Sequence, residues 1–219
     1  MRDFLILKLQ SPMQAWGEHT FEGLRPSANF PTRSGLLGLL GACLGIRRNE
    51  PDRQQQLADS IGIAVRQDYV KDRQILKITD YHTVRNARAD YTGKERPHET
   101  IQTWREYLLD AHFTVAVWNH TDAVIRLDDL ELAVKQPFFT PFLGRRSCPI
   151  SRPLFETRMK AANPQDVLRE IVPKAGIIYS DEGDETVRRF RVRDIPLVRQ
   201  PRQFVGRNIF VYGGEHVPE

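Results

Sequence analysis

The chain has 219 residues, 40% of them hydrophobic and 9% aromatic, which is enough to form a substantial core in one large domain or two small ones. Its formal net charge of +4 is only moderately basic, and no segment has the composition of a disordered tail. Because the longest uncharged run, about residues 34–46, is too short for a membrane span and residues 1–10 do not resemble a secretory signal, we expect a cytoplasmic protein.

The first predicted element is a strand over residues 3–9, which is mostly apolar and therefore central in a sheet. A turn follows at residues 11–17, and a loop rich in glycine and proline covers residues 18–31. Trp16 ends the turn, near Arg25, and two interpretations stay open for it. Its ring could stack on a nucleic-acid base, or it could pack in a half-buried position.

A glycine-rich helix over residues 32–45 is the most distinctive prediction. Thr32 or Ser34 provides an N-cap, and Gly45 is placed to end the helix. Small residues recur at helical spacing along one stripe, namely Gly35, Gly38, Ala42 and Gly45. Each interior glycine costs about 0.5–1 kcal/mol relative to alanine, so the bare stripe predicts the close approach of another group. That group is either a sheet of the same chain or a ligand.

The N-terminus of this helix is a candidate anion site. Its first backbone amides have no partner within the helix, and the helix dipole favours negative charge there. Arg33 lies in the first turn, where a cation is mildly unfavourable unless it shares a bound anion with the helix. The alternative is an arginine exposed to solvent.

The middle of the chain predicts alternating helices and strands. A helix over 51–60 begins at a proline, two strands cover 61–69 and 74–82, and a polar excursion occupies 83–100. A strand over 103–118 and a helix over 127–136 follow. The order strand, helix, strand, strand, helix is most of a ferredoxin-like unit, so the fold class is α+β.

The C-terminal third predicts a loop over 140–149, a short helix over 163–171, and short strands at 176–180, 186–195 and 203–212. Arginines are concentrated in two segments of this third, residues 140–160 and 186–207. Because a guanidinium group binds phosphate through a planar fork and stacks on bases, these segments indicate nucleic-acid binding, while a solvated surface stays the alternative for each segment taken singly.

No catalytic motif is evident. The glycines of the helix fit neither a phosphate-binding P-loop nor a dinucleotide fingerprint, and no residues have the spacing of metal ligands, so we expect no cofactor, no metal and no enzymatic activity. Cys43 and Cys148 lie in unrelated sequence contexts without CxxC spacing. We therefore expect each to be a buried thiol and not part of a disulfide or a metal site. One catalytic alternative stays open, since His82 and His98 have neighbours that would suit metal-independent cleavage of RNA.

Four segments carry a resemblance to a known family: SPMQAWG at 11–17, PTRSGLLGLLGACLGI at 31–46, HETIQTWREY at 98–107 and TPFLGRRSCP at 140–149. In this order they resemble the "Cas-five" family of subunits of the type I-E CRISPR surveillance complex Cascade. The resemblance spans nearly the whole chain and is less clear beyond about residue 160.

This resemblance implies a modified ferredoxin-like, RRM-like domain of the RAMP superfamily over residues 1–139. It also implies a protruding thumb hairpin at about 80–104 and a smaller β-rich C-terminal region over 140–219. The implied function is non-catalytic binding and capping of the 5′ handle of the CRISPR RNA, with contacts to the adjacent backbone subunit and the large subunit. Target DNA would be met only indirectly, through the complex. In some other subtypes the family member is itself the nuclease, which keeps the catalytic alternative open.

Residues of two kinds are predicted to contact the RNA. The candidates for handle binding are Trp16, Arg25, Arg33, Ser34, Arg105, Arg145, Arg146 and Arg202. The candidates in the thumb, where apolar insertion is expected more than phosphate attraction, are Val84, Arg85, Arg88 and Tyr91.

Overall fold

The computed structural model describes residues 1–18, 20, 23–69, 75–85, 100–198 and 203–213. The strands are β1 (Arg2–Gln10), β2 (Met13–Gln14), β3 (Leu24–Arg25), β4 (Ile61–Asp68), β5 (Leu76–Arg85), β6 (Thr100–Leu109), β7 (His112–Asn119), β8 (Phe155–Ala161), β9 (Gly176–Ser180), β10 (Arg189–Pro196) and β11 (Phe204–Tyr212). The helices are α1 (Arg33–Cys43), α2 (Pro51–Ser60), α3 (Leu127–Lys135) and α4 (Pro164–Glu170).

A seven-stranded sheet forms the body of the protein, in the order β10-β11-β9-β4-β7-β1-β8. Every neighbouring pair in it is antiparallel. Strand β1 lies between β7 and β8, and its residues from Phe4 to Leu9 are buried on both faces, as the apolar run predicted. The C-terminal strands β9, β11 and β10 extend this sheet from the edge of β4.

The two faces of the sheet have separate cores. One face carries the odd-numbered side chains of β1, such as Leu5 and Leu7, under α1, α2 and α3. The other face carries Phe4 and Ile6 under α4. Helices α1 and α4 therefore lie on opposite sides of the sheet, which separates the surface described below from that of α4.

A second, smaller sheet is built around β6. Strand β5 pairs with β6 in antiparallel register over its whole length, while the short β2 and β3 pair with β6, β3 in parallel. Nine of the ten residues of β5 are exposed. The β5–β6 ribbon corresponds to the base of the predicted thumb, and residues 86–99 between the two strands lie outside the described part of the chain.

Two sequence predictions were wrong in detail. The single strand expected over 103–118 is divided at Asp110, whose positive φ of 46° ends β6 and sends β7 into the other sheet. Strand β8 was not predicted, because its side chains alternate between half-buried and exposed positions at a sheet edge and give little apolar signal. The domain boundary at residue 139 stays a prediction. Strand β1 precedes this boundary in the sequence and β8 follows it, and the two strands pair in one sheet.

Candidate nucleic-acid interface

Helix α1 begins as predicted, but its N-terminus is occupied by a side chain of the same protein. The Thr32 hydroxyl accepts the amide of Gly35 at 3.3 Å and caps the helix. The Arg33 amide donates to the Asp194 carboxylate of β10 at 2.7 Å. An internal carboxylate thus takes the place where an external anion was expected.

Arg33 is likewise neutralised within the fold, so its prediction as a phosphate ligand is not supported. Its buried guanidinium is paired with Asp181 and donates to the carbonyls of Ala58 and Ile61, at 3.0 and 2.9 Å. Arg207 joins the same cluster through Asp181 and Asp194. Burial by itself would lower the pKa of Arg207, but the hydrogen bond to Asp194 and both carboxylate charges raise that pKa above its ordinary value. These ion pairs fasten the C-terminal strands to the start of α1.

Trp16 also has a structural position. The side chain is 1% exposed, and its indole N–H donates to the Gln14 amide oxygen at 3.1 Å. A Cβ added at Gly35 would lie 2.8 Å from the ring, so this glycine of α1 allows the close approach of Trp16. Of the two interpretations, the packing role fits the structure, and no face of the ring is open to a base.

The remaining small residues of α1 line a groove of about 1050 Å³. A Cβ added at Gly38 would meet no atom within 4 Å, so the stripe faces open space here. Residues of the segment 139–149 also line the groove, and Arg48 and Arg146 are the arginines of its lining. Among the described residues that line the groove, none has a carboxylate. The stripe therefore packs on Trp16 at Gly35, outside the strands and not on the sheet that was expected, while at Gly38 it is open, beside the half-buried Ser34.

The loop that carries Arg146 is held against β3 and β6 by its neighbour. The guanidinium of Arg145 donates to the Glu106 and Arg25 carbonyls, at 3.0 and 3.1 Å, and lies 4.5 Å from the centre of the Tyr107 ring. We therefore assign Arg145, which was predicted to contact the RNA, to positioning the loop. The adjacent Arg146 is exposed and lines the groove, where its charge is available to an anionic ligand.

Arg25 and Arg105 are brought side by side by the parallel pairing of β3 with β6, in which they are register partners. Arg105 is half-buried, and its Nε donates to the Thr103 hydroxyl at 3.0 Å. Since Arg145 bonds the carbonyl of Arg25, the three predicted arginines gather at one junction. The structure therefore unites residues that are up to 120 positions apart in sequence.

The predicted thumb residues fall partly within the described chain. Val84 and Arg85 are exposed near the end of β5. Arg88, Tyr91 and Arg202 lie outside the described residues, as does His98. The Nε2 of His82 is 2.5 Å from an Asp80 carboxylate oxygen, so its described neighbour is an anion and not the cation that RNA cleavage would use.

Sequence reasoning missed Arg48, which lines the groove and follows α1 and the positive-φ Gly45 (φ 71°) in the chain. Both cysteines are buried, as predicted, and burial raises the pKa of the Cys43 thiol to about 11. In the described ranges no three His, Cys, Asp or Glu residues could share a metal ion. No helix in the described part of the chain is long and apolar enough to cross a membrane.

Comparison with known proteins connects this architecture to CRISPR systems. Residues 4–210 match the family described as "CRISPR-associated protein (Cas_Cas5)". The chain is 51% identical over 219 residues to the CRISPR system Cascade subunit CasD of Escherichia coli K12, covering 98% of this chain and 97% of that protein.

Two solved structures agree with this match. The first is described as a CRISPR RNA-guided surveillance complex and matches with a TM-score of 0.73 and 31% identity, over 95% of this chain and 89% of that one. The second is described as a Cas protein and matches with a TM-score of 0.63 and 25% identity, over 95% and 93%. The chain is a member of the Cas5 family of CRISPR-associated proteins.

Proposed function

We propose that this protein is a non-catalytic RNA-binding subunit of a type I-E CRISPR surveillance complex. In this role it binds and caps the 5′ handle of the CRISPR RNA and anchors the adjacent backbone subunit and the large subunit. The family, the Cascade subunit that is 51% identical, and the structural similarity to a surveillance complex support this assignment. Target DNA is then met only through the assembled complex.

The observation that carries the RNA-binding role is the groove along α1. Its surface at Gly38 is bare, its described lining has arginines and no carboxylate, and its volume is about 1050 Å³. Phosphate contacts by Arg146 and Arg48 would supply affinity, while the apolar walls would accommodate unpaired bases. Ser34, Arg25 and Arg105 extend the proposed contact surface, and Arg145 holds it in shape.

The fold supports the same assignment. The strands β4-β7-β1-β8 are adjacent in this order, with α1 and α2 between β1 and β4 and α3 between β7 and β8. We take this as the ferredoxin-like unit of an RRM-like, RAMP-superfamily domain. In this proposal the β5–β6 ribbon is the thumb base, and the strands after β8 are the β-rich C-terminal region.

The test is the salt dependence of RNA binding. For single strands, log K falls with log salt by about 0.7 per neutralised phosphate. Arg146→Gln is expected to weaken binding and to reduce this slope by about 0.7, because one phosphate contact is lost. The matched control is Arg169→Gln, an exposed arginine in α4 on the opposite face of the sheet, which is expected to change neither. Equal slopes for the two variants and the wild type would contradict the assignment of the groove.

A gel assay tests the non-catalytic part. Labelled repeat RNA incubated with the protein in EDTA is expected to stay intact while bound. Cleavage that is abolished by His82→Ala would instead establish the endoribonuclease alternative.

A further inference from the structure

A row of three large apolar side chains crosses the small sheet on its solvent face. Tyr81 of β5 lies opposite Trp104 of β6, and Leu24 of β3 lies opposite Trp104 on the other side. The three are 51%, 46% and 46% exposed, respectively. Since neighbouring residues of a strand point to opposite faces, this row is on the face opposite to Arg25 and Arg105. It is therefore a different surface from the arginine junction described above.

The indole of Trp104 is held in place although it is exposed. Its six-membered ring packs closely on Gly23, where an added Cβ would lie 3.1 Å from the Gln102 carbonyl oxygen and 3.2 Å from the ring, so a larger residue would crowd this position. The Trp104 amide donates to the Gly23 carbonyl at 3.0 Å. The Tyr81 ring lies beside it, with 5.5 Å between ring centres. An exposed aromatic pair held in this way has a small entropic cost of ordering when it binds a ligand.

Trp104 is the exposed one of the three tryptophans of this chain. The other two tryptophans, Trp16 and Trp118, are each 1% exposed. A large contiguous apolar patch on a surface indicates a binding site. The chain thus buries two of its three indoles and fixes the third one facing solvent.

The side chains around this row have the chemistry of a nucleobase site. Along the same face of β5, the order is Lys77, Thr79, Tyr81, Thr83 and Arg85, so hydroxyl groups flank the aromatic ring and Arg85 places a cation at one end of the row. Lys77, at the other end, is engaged by Glu106 and by the Ser27 carbonyl. Across the ribbon, Gln102 lies opposite Thr83. The carboxylate on this face, Glu106, is already used by the Ser27 amide and Lys77. Aromatic rings stack on bases, hydroxyl and amide groups bond base edges, and the cation of Arg85 favours a polyanion, so the combination fits a nucleic-acid strand.

We propose that Tyr81, Trp104 and Leu24 form a stacking platform for unpaired bases of single-stranded RNA at the base of the β5–β6 ribbon. This inference rests on the proposed function, because it assumes that the protein binds RNA. It adds a second contact surface whose affinity comes from stacking instead of phosphate neutralisation. One part of the RNA strand would contact the groove along α1, and another part would contact this platform.

The intrinsic fluorescence of the full chain tests the platform directly, because Trp104 is the one indole of the three that is substantially exposed. Titration with unlabelled single-stranded repeat RNA is expected to quench its emission and to protect it from acrylamide. In parallel, the anisotropy of the same RNA carrying a dye reports binding by any surface. Binding seen by anisotropy with unchanged emission and acrylamide quenching would refute the platform and leave the groove proposal intact. The absence of both signals would refute both.

Variants separate stacking from folding. Trp104→Leu is expected to weaken RNA binding by about 5-fold to 150-fold, the usual range for one base on one aromatic ring. Its salt slope should equal that of the wild type, in contrast to Arg146→Gln. Trp104→Phe keeps an aromatic face and is expected to recover most of the affinity. If both variants bind RNA as tightly as the wild type does, the platform is refuted. It is also refuted if the tryptophan emission changes on addition of another Cascade subunit but not on addition of RNA.

Discussion

Two glycines of α1, one turn apart, should respond in opposite ways to the same substitution. Gly38→Ala adds a methyl group where no atom lies within 4 Å, so it gains helix propensity without a contact to disturb. We expect an increase of about 0.5–1 kcal/mol in the free energy of unfolding. Gly35→Ala gains the same propensity, but its Cβ would lie 2.8 Å from the buried Trp16 ring. Overpacking of this kind costs about 1–3 kcal/mol.

The difference between the two variants therefore reports the crowding at Gly35, by the Trp16 ring at 2.8 Å and by the Thr32 hydroxyl at 3.1 Å, because both variants gain helix propensity. We expect Gly35→Ala to be less stable than Gly38→Ala by about 1–3 kcal/mol, measured by urea unfolding followed by circular dichroism. In a thermal scan, the increase for Gly38→Ala corresponds to about 1–4 °C for a chain of this size. Equal stability of the two variants would refute the assignment of Gly35 to packing and of Gly38 to an open groove.

Three further predictions concern the ion pairs and the thiols. Asp194→Ala removes one of the two carboxylates that pair with the buried Arg207 and the acceptor of the Arg33 amide, so it should lower the free energy of unfolding by about 1–3 kcal/mol in urea; an unchanged free energy of unfolding would contradict this. Because burial raises the pKa of Cys43 to about 11, a disulfide reagent at neutral pH should modify it only after unfolding, and rapid modification of the native protein would refute its burial. Hydrogen bonding to Arg2, followed by its charge, lowers the pKa of Glu182 from 4.5. A lowered carboxyl pKa contributes stability that is complete above about pH 4.5 and is lost as the pH falls through the folded-state value. Glu182→Gln should therefore flatten the loss of stability in acid, and parallel pH profiles would contradict this.

Local patterns were sufficient for most helices and strands. Thr32 caps α1 because its hydroxyl is three residues from an otherwise unpaired amide, a relation that involves no distant residue. The apolar run of β1 likewise required a strand buried on both faces. Arg33 shows where local reasoning stopped. Its place in the first turn indicated a bound anion, and an anion is present, but it belongs to β10, 161 residues away.

The sequence by itself determined the α+β class, the glycine stripe of α1, the burial of both cysteines and the family, because each depends on short-range spacing or on collinear motifs. Tertiary structure alone decided which arginines face outwards. Arg33 and Arg146 are alike as residues, but one is enclosed between Asp181 and two carbonyls while the other lies at an open groove. The availability of a charge depends on which distant carboxylates and carbonyls the fold brings to it, and spacing along the chain does not contain that information.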